Sequence, residues 1–130
     1  MINIYLDDVR GCPTPPGAVE GPWEDRSFWE EPGEGTLWFV VRTVKRCLEM
    51  LEQHRGDVEI LSLDHDLGET ETYDADRDRF PTGYDVLCWL EERVHEDPAY
   101  PLPQRIQIHS ANPAGVARMR QVRDRLRNER

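Results

Sequence analysis

Val58-Glu59-Ile60-Leu61-Ser62-Leu63-Asp64-His65-Asp66-Leu67 is a short apolar run that ends abruptly in acid, imidazole and acid. Its length and β-branched content read as a buried strand over Val58–Leu63. In a parallel α/β sheet, ligands bind in the crevice outside the carboxyl ends of the strands. Two other runs end in the same way, Leu6-Asp7-Asp8-Val9-Arg10 and Ile108-His109-Ser110-Ala111-Asn112. Should these three ends share one edge, Asp7, Asp8, Asp64 and Asp66 meet His65 and His109 there. Such a set predicts a divalent-metal and phosphate-chemistry site.

Working outward, Thr43 caps a helix with the apolar stripe Val44, Cys47, Leu48 and Leu51, ended by Gly56. Residues 36–42 before it read as a strand, and Met1–Leu6 as another. Between those two strands, residues 11–35 are rich in proline and glycine and keep no helical period. They read as a long irregular loop pinned by Trp23, Phe28 and Trp29. Downstream, residues 68–81 read as a second, polar loop. Asp74, Asp76 and Asp78 there imitate a calcium loop, but Arg79 stands where its glycine is required. Thr82 opens a helix with Asp85 in the capping-box position and Val86, Leu87, Leu90 and Val94 on its buried face. Pro98–Pro103 is a turn segment and Arg105–His109 a strand. Asn112-Pro113 starts a last helix lined by Val116, Met119, Val122 and Leu126. Strands alternating with helices predict a parallel sheet flanked by helices, in one domain over residues 1–130.

The net charge is −10. Residues 113–130 hold six arginines against two acids, so the first 112 residues carry −14. A polyanion would be repelled by most of this surface. Nucleic acid is therefore expected only locally, at the strand edge and along Arg120, Arg123 and Arg127. No stretch is apolar enough for a membrane span, and the first residues show no secretory leader. The three cysteines have no zinc or disulfide spacing, and Cys47 and Cys88 read as reduced core residues. A cytoplasmic protein is expected.

Magnesium and manganese take hard oxygen ligands, so Asp7, Asp8 and Asp64 are the expected metal carboxylates. Imidazole titrates near neutral pH, which suits His65 and His109 to acid and base roles on either side of a phosphate. Ser110 and Asn112 enter the last helix, whose N-terminal N–H groups attract anions. Arg10 can add a bidentate phosphate contact. Asp66 supports the site.

The order of these motifs resembles a receiver domain, with Asp7 and Asp8 after the first strand, Asp64 after the third and Ser110 after the fourth. A helix after the first strand and a fifth strand with its lysine have no counterpart in this sequence. The closer resemblance is to the cyclic-phosphate processing receiver domains. Their marks are matched by Leu6-Asp7-Asp8-Val9-Arg10, Ser62-Leu63-Asp64-His65-Asp66-Leu67-Gly68, Thr82-Gly83-Tyr84-Asp85 and His109-Ser110-Ala111-Asn112. This resemblance implies a reduced flavodoxin-like, receiver-like fold of about four parallel strands. It implies a metal-assisted phosphoesterase, with Asp64, His65 and His109 catalytic, acting on the cyclic phosphate of an RNA end or a nucleotide. The alternative expectation is a non-catalytic receiver-like module that binds a phosphorylated ligand, a nucleotide signal or a partner.

Overall fold

The computed structural model describes residues 1–7, 37–67, 74–76, 79–110 and 112–128. The readings made for the 11–35 loop and most of the 68–81 loop lie outside them. Seven elements follow in order: β1 (Ile2–Leu6), β2 (Leu37–Val41), α1 (Val44–Gln53), β3 (Val58–Leu63), α2 (Gly83–Glu96), β4 (Arg105–Ile108) and α3 (Pro113–Asn128). The strands form one parallel sheet in the order β2-β1-β3-β4. The fold is the receiver-like, flavodoxin-like α/β arrangement that the motif order implied.

Register explains how one sheet can be buried on two chemically different faces. Leu6 pairs with Val41 and Leu63, and Leu63 pairs with Ile108. Side chains alternate along each strand, so Ile4, Leu6, Leu61, Leu63, Ile106 and Ile108 share one face. They join a single apolar cluster with the buried sides of α1, α2 and α3. The opposite face carries Asn3, Tyr5, Ile60, Ser62 and Gln107, all buried and all outside that cluster. A slip of one residue would exchange these faces. A register shift between Ile2 and Asn3 interrupts the β1–β3 pairing, and there Asn3 Oδ1 accepts the Ile60 N–H at 3.1 Å.

The helix caps follow local chemistry. Thr43 is extended, and its hydroxyl oxygen accepts the Arg46 N–H at 3.1 Å. Thr43→Ala should therefore cost about 1 kcal/mol in urea unfolding, as for other N-caps; an unchanged midpoint would remove the cap from the energetics of α1. The helix stops at Gln53, earlier than Gly56, which instead takes a left-handed φ of 83° in the turn to β3. Met50 is buried in this stripe, while Leu48 is only partly so. Cys47 lies in the core as expected, but Cys88 is half-buried, and both are free thiols. Asn112 Oδ1 accepts the Gly115 N–H at 3.0 Å and caps α3. Among the described residues no helix is long and apolar enough to cross a membrane.

Candidate functional site

The three polar strand ends are neighbours because β1 lies beside β3, and β3 beside β4. The hydrogen-bond ladder runs one residue past each strand. Asp7 N donates to Val41 O at 3.2 Å, Asp64 N to Leu6 O at 2.9 Å, and His109 N to Leu63 O at 2.9 Å. These bonds bring Asp7, Asp64 and His109 to one edge with their backbones fixed. Asp7 is 0 % exposed, Asp64 7 %, His65 6 %, His109 1 % and Ser110 9 %.

His65 is held from several sides. Its Nδ1–H donates to Asp66 Oδ1 at 2.7 Å, while Nε2 bonds to none of the described residues. Asp66 is held in turn by Asn112 Nδ2, at 3.4 and 3.3 Å from its two oxygens. The imidazole rests on Gly115 in the first turn of α3, where a Cβ would stand 2.5 Å from the ring carbons. A carboxylate that orients one nitrogen and leaves the other basic is the usual device for an imidazole that moves protons. Asn112 thus spends its side chain on Asp66 and on the α3 cap, and its backbone N–H donates to Ser110 Oγ at 3.2 Å.

His109 points elsewhere. Its Nε2 lies 3.1 Å from Asp7 Oδ2 and its Nδ1 2.6 Å from Ser62 Oγ. The Tyr5 ring is parallel to it, with centroids 4.4 Å apart and planes 3° apart. Both ring nitrogens are engaged on the polar face of the sheet, so the two histidines do not present themselves alike to the edge.

Three contributors were missed by the sequence reading. Arg42, directly after β2, donates from Nη1 to Asp7 O at 3.0 Å. Tyr5 and Ser62 lie two residues before Asp7 and Asp64, so the period of two already put them on the face that these carboxylates share. The Thr82-Gly83-Tyr84-Asp85 motif is also explained by packing. Gly83 N donates to His65 O at 3.1 Å, and a Cβ at Gly83 would overlap the Asp64 carbonyl oxygen. Asp85 accepts the Thr82 N–H at 2.8 Å and grips Arg79 through both carboxylate oxygens, at 3.0 and 2.6 Å. That hydrogen bond raises the Arg79 guanidinium pKa above its ordinary value, against the opposing effect of burial.

Asp8 and Arg10 lie outside the described residues. Among the described residues no three His, Cys, Asp or Glu side chains form a cluster suited to a metal ion. Asp7 and Asp64 do fit the chemistry in part. They follow paired residues of adjacent strands and offer hard oxygens, and magnesium commonly takes one or two carboxylates and completes its shell with water. Along α3, Arg125 is committed to Glu91 at 2.8 and 3.1 Å and holds that carboxyl below its ordinary range. The Arg123 side chain is only 12 % exposed, whereas Arg120 and Arg127 face outward.

Residues 2–125 match the family described as the cyclic-phosphate processing receiver domain. Neither a curated protein nor a solved structure matches the chain.

Proposed function

The chain belongs to the cyclic-phosphate processing receiver domains, and on that premise we propose that it is a metal-assisted phosphoesterase that opens a cyclic phosphate on an RNA end or a nucleotide. The observation that carries this reading is the Asp66–His65 pair. It is a carboxylate-oriented imidazole with Nε2 uncommitted among the described residues, beside Asp64 at a polar strand edge. In the proposed reaction a water oxygen bonds to phosphorus, and His65 Nε2 takes the proton that the water loses. The bond from phosphorus to one ring oxygen breaks, and that oxygen receives the proton from the imidazolium. One water is consumed and a phosphomonoester remains.

Asp7 and Asp64, with Asp8, would hold magnesium or manganese. Bound there, the cation would neutralise charge on the phosphate oxygens. Ser110, the α3 N-terminus and Arg10 would orient the phosphate. Arg120 and Arg127 are exposed further along α3, away from its start at the edge, where a polymeric substrate would be needed to reach them. The second reading, a binding module without turnover, draws on the engagement of both His109 nitrogens, which leaves one imidazole where two were expected.

The deciding assay is hydrolysis of 2′,3′-cyclic mononucleotides and of RNA with cyclic-phosphate ends, with magnesium or manganese present. Turnover supports the phosphoesterase, and saturable binding of these probes without turnover replaces it with the module. A melting experiment tests the carboxylates separately. Metal that binds only the native state, at a concentration 100-fold above its Kd, should stabilise it by about 2.7 kcal/mol. Asp64→Asn should lose most of that gain, and an equal response in both proteins would remove Asp64 from the metal set.

A further inference from the structure

We propose that His109 is a positioning residue: its Nε2–H aims the Asp7 carboxylate, and the Ser62 hydroxyl holds the imidazole in the tautomer that permits this. What Asp7 is aimed at rests on the phosphoesterase reading; the relay itself does not.

Three strands contribute one group each. Asp7 and Ser62 are 0 % exposed and His109 is 1 % exposed. An ionised carboxylate can only accept, so the contact to Asp7 Oδ2 requires the proton on Nε2. A neutral ring with that proton has an acceptor at Nδ1, and Ser62 Oγ–H supplies the donor at 2.6 Å. The parallel Tyr5 ring, 4.4 Å away, restricts rotation of the imidazole. Both imidazole nitrogens, the Ser62 hydroxyl and Asp7 Oδ2 therefore have partners where burial would otherwise penalise them.

The set of serine, histidine and aspartate is superficially that of a hydrolase triad, but its order around the ring is reversed. In a triad the serine meets Nε2 and the aspartate meets Nδ1. Here Asp7 meets Nε2, and the serine is fully buried. Ser62 is not a nucleophile in this arrangement. Partners that orient a metal-binding carboxylate commonly tune the affinity of the site, and His109 stands in that relation to Asp7.

The test separates donor from packing. His109→Gln can return an N–H to the place of Nε2 but loses the ring stack. His109→Phe keeps the stack and has no donor. With Mn2+ alone as the probe, His109→Phe should bind about 10- to 100-fold more weakly than wild type, and His109→Gln should recover most of the loss. A Phe variant that binds as well as the Gln variant, or better, overturns the proposal. Because either substitution can compromise folding, nitrogen NMR on the histidine-labelled wild type provides a second measurement. His109 should show a protonated Nε2 and an unprotonated Nδ1, and Ser62→Ala should shift the Nδ1 resonance selectively. A protonated Nδ1 in the wild type overturns the proposal. Wild-type protein that binds no Mn2+ counts against the metal reading alone, and the NMR result then decides the relay. A confirmed relay in a protein without turnover refutes the phosphoesterase and leaves this inference standing.

Discussion

His65→Ala should lower turnover of a cyclic-phosphate substrate by about 100- to 10,000-fold, the range associated with loss of a positioned acid–base group. The expectation comes from the surroundings of the ring. Asp66 accepts the hydrogen bond from Nδ1–H at 2.7 Å, Asn112 braces Asp66, and Gly115 gives the ring a flat seat on α3. None of these contacts uses Nε2, so the substitution removes proton transfer and leaves the carboxylates Asp7 and Asp64 in place. The loss should therefore fall on kcat, with KM near its wild-type value. A variant that keeps kcat within threefold of wild type would remove His65 from the chemistry. Gly115→Ala gives a graded companion test, since its Cβ would meet the His65 ring at 2.5 Å. It should reduce kcat while every polar side chain at the edge is retained.

Gly83→Ala should destabilise the protein by about 3 kcal/mol, at the upper end of ordinary overpacking costs. The sign carries the information. In an exposed helix interior the same change gains about 1 kcal/mol from helix propensity. Gly83 is the first residue of α2, and its N–H reaches the His65 carbonyl at 3.1 Å. An added Cβ would overlap the Asp64 carbonyl oxygen and sit 3.0 Å from Met119 Cε. The methionine end can move, but the strand backbone cannot move without disturbing the ladder bond from Asp64 N to Leu6 O. Relief would come from lifting α2 away from the edge, with loss of packing by Val86, Leu87 and Leu90. Urea unfolding checks the prediction, and unchanged or raised stability would show that the close approach is not required.

The strands and helix starts were legible because their signals are local. The run Val58–Leu63 carries its own burial pattern, and Thr43 and Asn112 announce the two helix starts that their side chains cap. The choice between Leu48 and Met50 on α1 was less legible. Helical period assigns a stripe, but the neighbouring elements decide which of its margins is covered. Glycine in Thr82-Gly83 could be noticed but not interpreted, because the atom it must clear belongs to Asp64 on another element.

What the sequence alone determined was the set of strands and helices, their order, and the three acid- and histidine-bearing strand ends that a parallel sheet could bring to one edge. Period, caps and the geometry of parallel crossovers act over a few residues at a time, and each can be read in place. Tertiary structure decided which groups at that edge face one another. His109 reaches Asp7 across 102 positions of sequence and Ser62 across 47. Those contacts exist because β3 lies between β1 and β4 in a particular register. Strand order and register are fixed by the packing of the whole sheet against its helices, so they set His65 and His109, alike as sequence motifs, in different hydrogen-bonding positions.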